Sequence, residues 1–249
     1  MSDLSLLGLE MDVLWGTDAY GRDEPAPLVA VAAASDGCAV RISSSVPPAL
    51  AAQVRLDESV LSGTGDPSRR PPELDRWAEL LAPVVPVTVT GGPSYLVKSP
   101  RSVSGVGQMH TSAQMVPAML AAARPQAWWQ PQEWEELLTG RLGPWAIAMD
   151  GSHVVALCHT PRSRHGSAEA GVWTHPDARR RGHAAAVTAA WADVAGEDHG
   201  VLFYSTSEHN LASQGIARRL GLRPLGWIWR VHPTAEPAAD DPEPRPPAG

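Results

Sequence analysis

The segment richest in chemistry runs from Val172 to Ala186 and reads VWTHPDARRRGHAAA. An extended, partly aromatic stretch leads into Arg179, Arg180, Arg181 and Gly182, and His183 and Ala184 then open an alanine-rich helical run. A helix starting there aims its unpaired N–H groups and the positive end of its dipole at whatever lies ahead. Gly182 allows close backbone approach, and Ala184 leaves the first turn unencumbered. Arginines at this end oppose the dipole, so three in a row make sense around an anion. The plainer alternative is a solvated arginine cluster. A phosphate or pyrophosphate is the ligand such a segment suits. No Gly-Lys-Ser/Thr follows, and no G-x-G-x-x-G is present, so neither a nucleotide-triphosphate loop nor a dinucleotide fingerprint is at hand.

Arg179, Gly182 and Ala184 have the R-x-x-G-x-A spacing, and the strand ahead of them ends in Thr-His-Pro. Further on, Asn210, Ser213, Gly221 and Leu222 fit the pattern N-x-x-[AS], seven residues, G-[FL]. Together these motifs resemble the acyl-CoA loop and the second signature of the GNAT N-acetyltransferase superfamily, over roughly residues 125–231. The resemblance implies an α/β (α+β) fold of the GNAT acyl-CoA N-acyltransferase type, a mixed central sheet flanked by helices. It implies acetyl-CoA as co-substrate, in a V-shaped opening between strands 168–174 and 201–206. Val172, Trp173 and Thr174 would edge the pantetheine arm. The pyrophosphate would sit on Arg181, Gly182, His183 and Ala184, with Arg179 and Arg180 beside it. A primary amine would attack the thioester directly, with the developing oxyanion on a strand N–H.

The same resemblance makes Glu169 the first candidate base, since relatives carry a glutamate on this strand. A solvent-facing strand glutamate or a counter-ion for the substrate amine is the competing reading. Glu208 is a weaker candidate, and His159 and His175 read better as surface or capping residues than as relays. Where relatives often place a tyrosine acid, seven residues after the asparagine, this chain has Ala217. Ser213 or solvent must then serve the leaving thiolate, whose pKa of ~8.5 makes a dedicated acid dispensable. Asn210 caps its helix and touches CoA in this reading. Ala217 also supports the alternative of a CoA-binding regulatory or scaffold protein with little or no turnover.

The elements expected to position these residues follow from periodicity and turn chemistry. Residues 112–123 and 132–138 read as helices, 144–149 and 153–159 as a hairpin around Asp150-Gly151, and 168–174 as a strand. Residues 184–195 read as a helix, 201–206 as a buried strand, 210–220 as a helix closed by Gly221, and 225–231 as a last strand. Ahead of these lies a smaller α+β unit, with strands 28–34, 37–42 and 84–90, helices 47–54 and 73–81, and loops 62–72 and 99–108. It contains no chemical motif. The expected division is an N-terminal unit 1–122, a GNAT domain 123–232 and a disordered acidic, proline-rich tail 233–249. The N-terminal unit is expected to serve the acceptor pocket or a homodimer contact. Trp128, Trp129 and Trp134 would pack the core or wall the acceptor.

Composition bounds the partners. The 249 residues are 43% hydrophobic with a net charge of −7, which is globular. Lys98 is the only lysine among 20 basic residues. The acidic total argues against nucleic acid and for a cationic amine. No apolar run approaches the ~20 residues that span a membrane, and residues 1–15 lack a basic lead for a signal peptide. Cys38 and Cys158 alone make neither a disulfide framework nor a zinc site, so no metal and a cytoplasmic setting are expected.

Overall fold

The computed structural model describes residues 1–16, 26–58, 61, 65–98, 100, 107–115 and 118–234. All of the expected tail beyond residue 234, and parts of the expected loops 62–72 and 99–108, lie outside these.

The chain opens with a helix, α1 (Asp3–Trp15), started by Ser2, whose hydroxyl accepts the Ser5 N–H at 3.2 Å. A hairpin follows, β1 (Val29–Ala34) and β2 (Gly37–Ile42), then α2 (Pro48–Glu58), α3 (Glu73–Leu81) and β3 (Val87–Leu96). Next come β4 (Gln108–Thr111), α4 (Ala118–Ala122) and α5 (Pro131–Leu138). Strands β5 (Trp145–Asp150), β6 (His153–Arg164) and β7 (Ser167–Thr174) form a meander. The remainder is α6 (His183–Asp198), β8 (Val201–Ser205), α7 (Leu211–Leu220) and β9 (Arg223–Pro233).

All nine strands join one sheet in the order β2-β1-β9-β3-β8-β7-β6-β5-β4. The sequence boundary at residue 122 therefore does not divide the sheet. Strand β3, from the N-terminal half, lies between β8 and β9, antiparallel to both. Pairing decides this: β8 and β9 each offer an edge, and β3 satisfies both ladders at once.

Two faces carry the helices. On one, the alanines of α6 lie against Ala146, Ala148, Ala156, Ala168 and Ala170, and small residues on both sides let helix and sheet approach closely. Trp191 is fully buried there, its indole N–H donating to the Thr160 hydroxyl at 3.0 Å. The opposite face takes α1, whose Leu6, Leu7, Met11 and Val13 pack with Phe203 and Ile228. It also takes α5, where Trp134 and Leu137 pack with Trp145, Leu157 and Trp173.

Two expectations are corrected, and two elements are new. Of the helix foreseen over 112–123, Ala118–Ala122 is described as helix, residues 116 and 117 lie outside the described residues, and Ser112 instead extends the edge pairing: its N–H donates to the Trp145 carbonyl at 3.0 Å and its hydroxyl accepts the Trp145 N–H at 3.1 Å. The hairpin strand foreseen to end at 159 continues to Arg164 through an irregularity between His159 and Arg162. Strand β4 and helix α1 have no counterpart in the sequence reading.

Because β1 and β3 flank β9, the described chain should unfold as one unit. Leu7→Ala, at a side chain with no exposure on α1, should lower stability by about 2–5 kcal/mol and shift the whole denaturant transition. An early, separate loss of the N-terminal half would contradict this.

Candidate active site

Strands β7 and β8 run parallel and pair at Ser167/Val201, Ala168/Leu202 and Glu169/Phe203. Both continue, yet beyond that point they pair only with their other neighbours. Gly171–Thr174 pair with β6, and Tyr204 and Ser205 pair with Tyr95 and Ser94 of β3. The sheet thus forks, and the free edge of β7 beyond the fork carries Val172, Trp173 and Thr174. The carboxyl ends of both strands point into the opening, the usual place for a ligand in an open α/β sheet. Each is followed by a helix start, that of α6 after β7 and that of α7 after β8.

At the head of α6, a short 3-10 turn (Pro176–Ala178) is capped by His175, whose Nδ1 accepts the Asp177 N–H at 3.3 Å. Arg180 (φ 64°) and Gly182 (φ 90°) are both left-handed and flank Arg181, a backbone pattern that turns successive amides toward an anion. None of Arg179, Arg180 and Arg181 has an ion pair among the described residues. His183 is buried, its Nδ1 has no partner, and burial, then Arg181, hold its pKa below the ordinary imidazole value. These residues fit a pyrophosphate. The sequence reading missed Arg219 on α7: a Cβ at Gly182 would meet its guanidinium nitrogens at 3.1 Å. Its place beside the loop is set by the packing of α7 and has no motif.

At the head of α7, the Asn210 side chain accepts the Ser213 N–H at 3.0 Å, and Gly221 (φ 67°) ends the helix. The Ser213 carbonyl accepts the Tyr204 hydroxyl at 3.3 Å. Ala217 is fully buried, and burial pushes the Tyr204 phenol far up. Cys158 is fully buried with its thiol raised by burial, a core residue.

Glu169 stands at the last pair before the fork, without exposure. This corrects the solvent-facing reading. Its Oε1 accepts the Ser205 N–H at 2.7 Å and the Ser205 hydroxyl at 2.8 Å, tying β7 to β8. Burial first, against the two Ser205 bonds, pushes its pKa to about 7. The nearest like charge comes from Glu10 of α1, equally buried, whose carboxyl accepts the hydroxyl of Ser94. Sequence reasoning missed Glu10 as well. The signal was present: it sits at helical spacing among Leu6, Leu7 and Met11, on the apolar stripe.

Alternation along β7 puts Gly171 and Trp173 on the Glu169 face. The His159 ring lies over Gly171, where a Cβ would meet it at 2.7 Å. Trp129 packs edge-on against His159 at 5.3 Å, and Trp128 lies 5.9 Å from Trp173. The tryptophans are core packing that also walls this face beside Glu169. Glu208 takes no part in this bonding: its carboxyl faces the His209 ring at 3.6 Å.

The residues 96–223 match the family model described as Acetyltransferase (GNAT) domain. The chain belongs to this acetyltransferase family, an enzyme family whose co-substrate is acetyl-CoA. The match begins at the end of β3, earlier than residue 125. No curated protein matches the chain significantly in sequence. Among solved structures, a GNAT-family acetyltransferase from Colwellia psychrerythraea is 14% identical over 93% of this chain and 96% of its own, with a TM-score of 0.49. A GNAT-family chain from Novosphingobium aromaticivorans is 18% identical over 59% and 66%, TM-score 0.43. A GCN5-related N-acetyltransferase from Kribbella flavida is 17% identical over 64% and 64%, TM-score 0.45. This chain spans just under two thirds of the length of the last two. Among the described residues no helix is long and apolar enough to cross a membrane.

A carboxyl at about 7 in the folded chain and 4.5 unfolded keeps a proton between those values that the unfolded chain has lost. Stability from this group is therefore greatest below 4.5 and declines toward pH 7, by about 1.4 kcal/mol per unit. His183, lowered, works in the opposite sense, so the isolating measurement is the difference between the native chain and Glu169→Gln. Denaturant titrations from pH 5 to 7 should show the native chain losing stability relative to that variant, and a gain would contradict the assignment.

Proposed function

We propose that the chain transfers the acetyl group of acetyl-CoA to a primary amine, with the fork between β7 and β8 as the place of reaction. The observation that carries this reading is the buried Glu169 at the apex of the fork, with an arginine-lined helix start at its mouth. Val172, Trp173 and Thr174 offer the unpaired strand edge to the pantetheine arm. Arg179, Arg180, Arg181, Gly182, His183 and Ala184 hold the pyrophosphate, and Arg219 adds charge beside them. Asn210 fixes the start of α7 and, with Ser213, borders the thiol end.

Acetyl-CoA supplies an activated thioester. The amine nitrogen forms the new N–C bond, the C–S bond breaks, and the thiolate takes its proton from solvent or Ser213. A neutral amine is required, and Glu169 receives the proton it gives up. Since Glu169 is buried, the partly exposed Ser205, which bonds it through both N–H and hydroxyl, is the contact between the carboxyl and the opening. A base with pKa about 7 suits this work at neutral pH. The acidic body and the tryptophan wall beside Trp173 favour a cationic acceptor. The reading places the enzyme in the cytoplasm, where acetyl-CoA is available. The N-terminal half contributes Glu10 and Ser94 to the site, and a homodimer is not required for it.

Calorimetry should find saturable acetyl-CoA binding, weakened at least ~10-fold by Gly182→Glu, which puts a carboxylate where the phosphates would lie, and to a smaller extent by Arg219→Ala. Free-thiol release with a panel of primary amines should fall ~100-fold or more in Glu169→Gln. Tight binding without thiol release on any amine would favour the CoA-binding scaffold that Ala217 suggests, and no binding would overturn both readings.

A further inference from the structure

Four elements outside one another's sequence neighbourhood meet at the apex of the fork. Helix α1 brings Glu10, β3 brings Ser94, β7 brings Glu169 and β8 brings Ser205. Ser94 and Ser205 are direct partners across the β3/β8 ladder. Glu10, Ser94 and Glu169 are buried, both glutamates with no exposure.

The hydrogen bonds can be counted. The Ser94 hydroxyl donates to Oε2 of Glu10. The N–H and hydroxyl of Ser205 donate to Oε1 of Glu169, at 2.7 and 2.8 Å. One oxygen of each carboxyl is then left, Oε1 of Glu10 and Oε2 of Glu169, both buried and without a partner. Two buried acceptors with no remaining donor are unfavourable, and a carboxyl proton is the one donor the cluster itself can supply.

Charge counting gives the same answer. From β6, opposite Glu169, Arg162 faces the pair, with its guanidinium donating to the Leu14 carbonyl at 2.7 Å. Cys158 of β6 and Tyr204 of β8 are the other titratable groups that sense Glu169, and both are held neutral by burial. Two ionised carboxylates side by side in a dry site repel each other, and one bound proton removes that repulsion.

We propose that Glu10 and Glu169 hold a single proton between them, and that Glu10 is the positioning residue that sets the proton affinity of Glu169. The role of Glu169 as base rests on the function proposed above; the shared proton does not. Glu10 lies outside the residues matched by the acetyltransferase family model, so the base of the family segment is tuned by a helix that the family model does not include. Both carboxyls are shifted upward, Glu10 by burial and then by Glu169 itself. The proton belongs to the pair, and the titration of Glu169 depends on the state of Glu10.

Infrared difference spectroscopy of the full chain tests this without any substrate. Near neutral pH, exposed carboxyls are ionised, and one protonated-carboxyl band should persist and titrate away only at higher pH. The side-chain amide of Glu10→Gln supplies a donor to the ionised Glu169, so the band should be gone by neutral pH. Glu169→Gln should remove it likewise. Absence of the band in the native chain, or its survival unchanged in either variant, overturns the shared proton. Ser94→Ala, which changes neither carboxyl, should keep the band and shift its titration, giving a second reading should either glutamine variant fold poorly; an unshifted titration counts against the proposal. With an amine acceptor, the acid limb of the kcat/KM profile should move about a unit or more to lower pH in Glu10→Gln. A limb that stays in place overturns the tuning role. If the bands behave as stated while Glu169→Gln retains full turnover, the shared proton stands and the base assignment falls.

Discussion

The bond between the Glu169 carboxylate and the Ser205 N–H and hydroxyl is the interaction on which the rest depends. Parallel strands β7 and β8 pair up to Glu169/Phe203 and then separate. At a fork, a strand N–H loses its ladder partner and must find another or face water. Here the partner is a side chain from the opposite strand. The carboxyl therefore does structural work, and under the proposed function chemical work, with the same atoms. It closes the sheet at the apex and lies at the one place from which the opening can be reached.

The surrounding architecture follows from keeping that carboxyl dry. Phe203 and α1 cover it from one face, while the alanine layer under α6 brings helix and sheet close on the other. Strand β3 supplies the fourth side, placing Ser94 opposite Ser205. Positive charge is kept apart from this: Arg179, Arg180, Arg181 and Arg219 stand exposed at the mouth, where they remain solvated. A mildly acidic chain thus holds one focused positive region and, apart from it, a buried pair of acids.

The legible part of the sequence was the part governed by local rules. The loop 179–184, the Asn210 cap and the Gly221 stop depend on capping and turn chemistry within a few residues, the helix over 73–81 on the spacing of Leu74, Trp77 and Leu81, and they stand where the sequence puts them. Glu169 was legible through family likeness, its burial was not. What stayed hidden depends on pairings distant in sequence. Nothing near Val87 announces that β3 will lie between β8 and β9. Nothing near Asp3–Trp15 announces that its helix covers Phe203. Glu10 was readable only as an acid on an apolar stripe, a pattern that acquires meaning when a second carboxyl is found beneath it.

The insertion of β3 between β8 and β9 also has a consequence in time. A ribosome delivers β3 more than a hundred residues before β8, and β9 emerges later still. Until then β3 has two bare hydrogen-bonding edges, and β1 has only β2. The centre of the sheet is therefore completed only by β8 and β9, through contacts of very long sequence separation, which fold slowly. The newborn N-terminal half exposes open strand edges throughout synthesis, a state prone to aggregation. The site at the fork comes into being in the same event that closes the sheet, so an unfinished chain carries an acetyltransferase motif with no place to bind.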